Sequence, residues 1–204
     1  MRKTTGFVMA CLLTLPLSAA IAADDLKVKI TPDMASVTVK HKGKPVTIQR
    51  NQTKDNVVNP AFAKTSRACP PFCVQPSVLA PGVETIAEVE LLGYLKRVSD
   101  GDDSVLVIDS RTPDWAARGT IPGSVNIPWT TLNIAESDPF TIADTLEKRF
   151  GATPLEGRWN FQDATTLVMF CNAMWCGPSP NNIQSLLKTG SPAHQNQWYR
   201  VVML

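Results

Sequence analysis

From Leu26 to about Arg50, apolar and polar residues alternate. Leu26-Lys27-Val28-Lys29-Ile30 and Val37-Thr38-Val39-Lys40 put apolar side chains on one face and basic ones on the other, and Lys42-Gly43-Lys44-Pro45 turns into Val46-Thr47-Ile48. A period of two with a glycine turn predicts half-buried antiparallel strands. Asn51 to Gly82, rich in Asn, Pro, Ser and Ala, has no period and reads as a linker or an ordered loop. Beyond it, Thr85 with Glu88 three residues on forms a capping-box signature. Ile86, Val89, Leu92 and Leu95 follow at helical spacing, which predicts a helix over 86–98. Val105-Leu106-Val107-Ile108 and Thr166-Leu167-Val168-Met169-Phe170 are short apolar runs of the kind buried parallel strands require, and Val125-Asn126-Ile127 is a weaker candidate. Helices are predicted over 141–150 and 181–188, and a last strand over 199–204. Strands alternating with helices indicate an α/β fold, a parallel sheet flanked by helices, with a small N-terminal β-rich extension.

The first two dozen residues change the picture of where the chain works. Arg2 and Lys3 precede an apolar stretch, and Ala20-Ile21-Ala22 supplies the small residues of a cleavage site, so 1–22 reads as a secretory signal peptide. The apolar run is too short for a retained membrane span. A periplasmic or secreted protein follows, with no membrane attachment after cleavage. The formal charge of +2 includes Arg2 and Lys3; without them the 18 acidic residues are balanced, so neither nucleic acid nor an anionic membrane is expected as a partner. The expected organisation is a signal peptide (1–22), a β-rich extension and linker with a cysteine pair (23–82), and one α/β domain (83–204).

Of five cysteines, Cys11 leaves with the leader, and Cys69, Cys73, Cys171 and Cys176 remain as two close pairs. Cross-links over such short loops constrain little chain entropy and suit redox or ligand sites better than staples. Cys171 follows a predicted buried strand and precedes a predicted helix, with Ser179 as N-cap and Pro180 as first helical residue. That puts it at the carboxyl end of the sheet, where open α/β folds bind ligands. Main-chain N–H groups of Asn172, Ala173, Met174, Trp175, Cys176 and Gly177 would form an anion cradle, and the helix dipole would acidify the thiol. The same spacing also fits a buried structural cysteine at a strand end.

Val107-Ile108-Asp109-Ser110-Arg111, followed by Gly119-Thr120-Ile121-Pro122-Gly123-Ser124-Val125-Asn126-Ile127-Pro128, resembles the signature of the rhodanese-like domain, and Cys171 stands where that family has its catalytic cysteine. The resemblance covers about 85–204. It implies a sulfurtransferase whose cysteine takes sulfane sulfur from a small donor, holds it as a persulfide and passes it to a thiol or cyanide, with no dissociable cofactor. Asp109 and Arg111 match the family's Asp-x-Arg, as a structural ion pair bracing the loops or as a substrate-binding pair.

The chain departs from the family in three places. The cysteine loop has no Lys or Arg, which leaves thiosulfate unassured as donor. Cys176 could attack a persulfide on Cys171 and leave a disulfide, which opens thiol–disulfide exchange with a protein redox partner. The Gly-Gly turn and Trp-bearing helix that usually follow the last strand are missing, so the C-terminus reads as cut short and apolar sheet surface is expected to lie bare. Trp175-Cys176-Gly177-Pro178-Ser179 also resembles the thioredoxin active site with its second cysteine replaced, but the upstream segments have no place in that fold. A catalytically silent binding module of the rhodanese fold is the remaining alternative. Cys69-Pro70-Pro71-Phe72-Cys73 reads as a local disulfide, or as a thiol pair exchanging with Cys171; no metal site is expected from His41 and His194, which lack ligand spacing. Trp115, Trp129, Trp159 and Trp198 read as packing residues.

Overall fold

The computed structural model describes residues 26–60, 63 and 66–200. The expected signal peptide and the expected strand end at 201–204 lie outside these residues.

β1 (Ser36–His41) and β2 (Lys44–Gln49) form an antiparallel hairpin. Lys42 and Gly43 carry positive φ of 50° and 77°, the twist a two-residue hairpin turn needs. Leu26–Ile30, expected as a strand, is not one; the segment is a series of bends held by Gln52, whose side chain bonds both the N–H and the carbonyl of Val28. A side chain thus takes the place of a partner strand.

The central sheet is entirely parallel and contains β3 (Glu84–Ile86), β4 (Val105–Asp109), β5 (Val125–Asn126), β8 (Thr166–Phe170) and β9 (Asn196–Tyr199) in the order β3-β9-β8-β4-β5. A separate small hairpin joins β6 (Thr153–Leu155) to β7 (Arg158–Asn160). The helices are α1 (Glu88–Asp100), α2 (Pro113–Arg118), α3 (Pro139–Lys148) and α4 (Pro178–Lys188).

Four expectations shift. Thr85 is a strand residue whose hydroxyl donates to Ser77, and α1 starts after Ala87, with Glu90 accepting the Ala87 N–H. This one-sided cap, with no acceptor on the Ala87 methyl, lies two residues later than the Thr85/Glu88 spacing suggested. α3 begins at Pro139, because the Asp138 carboxylate accepts the N–H groups of Phe140 and Thr141. α4 begins at Pro178 with Gly177 as N-cap, so Ser179 lies inside the first turn. The last strand is Asn196–Tyr199, where Asn196 and Gln197 are buried polar residues whose amides donate to Ser191, Pro192 and His194.

Alternation along the buried strands separates two cores. Ile108, Leu167, Met169 and Trp198 pack with Ile142 and Leu146 of α3 and Ile183 and Leu186 of α4. Val105, Val107, Val168, Phe170 and Tyr199 pack with Leu91, Leu92 and Leu95 of α1 and with Val37 and Val39 of β1. The hairpin therefore joins this second core, packing chiefly against α1. Gly123 lies under it with φ of 91°; a Cβ there would meet Leu95 at 3.2 Å. A cavity of about 470 Å³ remains between Ile30, Ile48, Leu92, Pro122 and Tyr199.

Burial raises the Tyr199 phenol above its ordinary value of 10.0, and the Glu88 carboxylate beside it raises it further. A raised native pKa contributes stability that is complete below pH 10 and declines as the unfolded chain ionises above it. Thermal melts should therefore show the melting temperature falling from about pH 10 upward, and less steeply in Tyr199→Phe; equal slopes would remove Tyr199 as the cause.

Candidate functional site

β4 and β8 are adjacent, yet the chain leaves β4 toward β5 on one side and leaves β8 toward β9 on the other. Their carboxyl ends flank a topological switch point, the place where open α/β sheets form a crevice. β4 ends in Asp109, and β8 ends in Phe170, directly before Cys171.

Cys171 is buried, 3% exposed, and joined to Cys176 in a disulfide with Cα atoms 6.1 Å apart. Between them the loop bends once, closed by the Cys176 N–H donating to Ala173 O at 2.9 Å. That bond removes Cys176 from the expected cradle. The main-chain N–H groups of Asn172, Ala173, Met174, Trp175 and Gly177 donate to no acceptor among the described residues.

The helix end contributes less than expected. Pro178 and Pro180 carry no N–H, so Ser179 alone offers one in the first three helical positions. Its hydroxyl is not a cap; it is buried and accepts the Trp198 indole N–H at 3.2 Å. The loop, more than the helix, holds the free donors.

Asp109 and Arg111 are both buried and paired through two side-chain bonds, Nε to Oδ1 at 2.8 Å and Nη2 to Oδ2 at 2.6 Å. The same guanidinium donates to Asn172 Oδ1 at 2.8 Å and to Gly119 O at 2.6 Å. Thr120 donates to Asp109, Asn126 donates to the carbonyls of Asp109 and Arg111, and Asn182 of α4 donates to Ser110. The Asp-x-Arg turn is thereby tied to the Gly119–Pro128 segment, to α4 and to the cysteine loop. All three guanidinium nitrogens donate to partners of the protein's own, an arrangement for bracing.

The linker also reaches the site. Cys69 and Cys73 are joined in a disulfide, with Cα atoms 4.6 Å apart. The Gln75 N–H donates to Met174 O at 2.8 Å, and Arg200 donates to Gln75 O at 2.7 Å. The Arg67 guanidinium lies over the rings of Phe72 and Trp175, 5.2 and 6.0 Å from their centres. A loop without cations of its own is thus visited by Arg67 and Arg111. Gln75, Arg67, Arg200, Thr120, Asn126 and Asn182 were not anticipated; only the Thr120 and Asn126 positions, inside the Gly119–Pro128 segment, carried a local signal. Trp198 is core, while Trp115 stands 39% exposed under Arg118. Among the described residues, no group of three or more His, Cys, Asp and Glu could hold a metal ion, and no helix is long and apolar enough to cross a membrane.

Residues 92–201 match the family model of the rhodanese-like domain. Among solved structures, the human single-domain sulfurtransferase TSTD1 is similar at 24% identity over 59% of this chain and 92% of that one, with a TM-score of 0.37. No curated protein matches the chain.

Proposed function

Because the chain belongs to the rhodanese-like domain family, we propose that it is a sulfurtransferase that carries sulfane sulfur on Cys171. The observation that supports this reading best is the position of Cys171: at a switch point, heading a loop whose main-chain N–H groups at Asn172, Ala173, Met174, Trp175 and Gly177 have no acceptor among the described residues. A reduced Cys171 thiolate attacks the outer sulfur of a small donor. The donor's S–S bond breaks, its electron pair leaves with the donor remnant, and Cys171 becomes a persulfide whose terminal sulfur is anionic. Unpaired N–H groups lower the energy of that anion without reorganising at the moment of transfer. An acceptor thiolate or cyanide then attacks the terminal sulfur and returns the Cys171 thiolate. Asp109 and Arg111 act by holding Asn172, hence the loop, in place.

The Cys171–Cys176 disulfide favours a second reading, thiol–disulfide exchange with a protein redox partner. In the sulfur-transfer cycle the same bond arises when Cys176 attacks the persulfide and hydrosulfide leaves. The reading places residues 83–204 as the catalytic domain, 23–82 as its extension and linker, and the mature protein in the periplasm or outside the cell.

The decisive experiment is mass spectrometry of the reduced protein after exposure to thiosulfate or an organic persulfide. One added sulfur on the peptide carrying Cys171 is expected. No addition from either donor, or addition at another cysteine, would remove Cys171 as the carrier.

A further inference from the structure

The linker's cysteine pair sits beside the site, although about a hundred residues separate the two pairs in sequence. Cys73 stands two residues before Gln75, Cys176 stands two residues after Met174, and Gln75 and Met174 are joined by the 2.8 Å hydrogen bond. Each arm spans at most about 7 Å of chain. Arg67, two residues before Cys69, secures the same contact from Phe72 to Trp175. Exposure falls along the series: Cys69 is exposed, Cys73 and Cys176 are half-buried, and Cys171 is buried. A reductant from solution meets Cys69 first and Cys171 last. A cross-link closing so short a loop also gains little from chain entropy, which gives it small value as a staple.

We propose that Cys69 and Cys73 form an internal dithiol relay that reduces the Cys171–Cys176 disulfide. The relay rests on the sulfur-transfer reading for its purpose, the regeneration of the Cys171 thiolate. A dithiol of the surroundings, protein or small molecule, first opens Cys69–Cys73 and is itself oxidised to a disulfide. The Cys73 thiolate attacks Cys176 Sγ; the Cys171–Cys176 bond breaks, and its electron pair leaves on Cys171, beside the loop's unpaired N–H groups. The Cys69 thiolate then attacks Cys73 Sγ, re-forming Cys69–Cys73 and releasing the Cys176 thiolate. Two electrons and two protons pass from one pair to the other, with one S–S bond lost and one formed.

The test uses the full mature chain. In Cys69→Ser the resolving thiol is gone, so a Cys73–Cys176 mixed disulfide should accumulate. Alkylation, proteolysis and mass spectrometry without reductant should find those two peptides linked and Cys171 alkylated. In parallel, one equivalent of dithiothreitol should reduce Cys171–Cys176 at least tenfold faster in the wild type than in Cys69→Ser/Cys73→Ser. Absence of the linked peptide, or equal rates, overturns the relay; the single variant decides alone if circular dichroism shows the double variant misfolded. Neither readout contains sulfane sulfur. A working relay in a protein that never loads sulfur would therefore sink the sulfur-transfer reading and spare the relay, and the reverse result would do the opposite.

Discussion

Cys171→Ser should lower sulfur transfer to cyanide or a thiol by at least about a thousandfold, equivalent to about 4 kcal/mol of barrier, while the fold survives. The serine oxygen occupies the same place after Phe170 but cannot accept a sulfane sulfur or exchange with a disulfide. The comparison belongs in excess reductant. Otherwise the wild type keeps the Cys171–Cys176 cross-link, which by chain-entropy reasoning would stabilise it by about 2 kcal/mol and confuse the reading. Initial rates of thiocyanate formation measure the transfer, and near-ultraviolet circular dichroism measures the fold. Activity within tenfold of wild type would exclude Cys171 from the chemistry. Cys176→Ser then separates the two functional readings: transfer persists in it if Cys176 only resolves the persulfide, whereas disulfide exchange disappears.

Arg111→Ala should cost about 3–5 kcal/mol of stability, the range for leaving one member of a buried ion pair without its partner. The Asp109 carboxylate is fully buried, and Arg111 supplies two of its hydrogen bonds through the side chain and a third through its own N–H at 3.1 Å. Removing the guanidinium also frees Asn172 Oδ1 and Gly119 O. Arg111→Lys should rescue little, because one ammonium cannot reproduce a planar fork that reaches Asp109, Asn172 and Gly119 together. Urea denaturation midpoints at constant slope measure the loss; a change under about 1 kcal/mol would mean that this network braces nothing.

What the sequence disclosed follows from how locally each element is determined. β4 and β8 were legible because a fully buried strand must be a continuous apolar run. The place of Cys171 just past β8 was legible because the apolar run itself marks where the strand stops. The Asp109–Arg111 pairing needed only two residues of separation. β3 was hidden: three residues with one buried side chain leave no period, and Thr85 with Glu88 imitated a cap. β9 was displaced because Asn196 and Gln197 are strand residues whose side-chain N–H groups find acceptors on Ser191, Pro192 and His194, partners that meet them only in the folded chain. The start of α4 was misplaced because Pro178 and Pro180 both suit a first turn. No local pattern could announce that Gln75 would meet Met174, since the contact depends on the closed sheet.

The strand order has a consequence for how the protein comes to exist. β3 lies at the edge and pairs with β9 alone, and β9 also borders β8. During synthesis the domain therefore cannot close until the segment near residue 199 has left the ribosome; before that, Ile86 has no strand beside it and one side of β8 has no neighbour. Such long-range pairing folds slowly, because loop closure precedes any reward from contact.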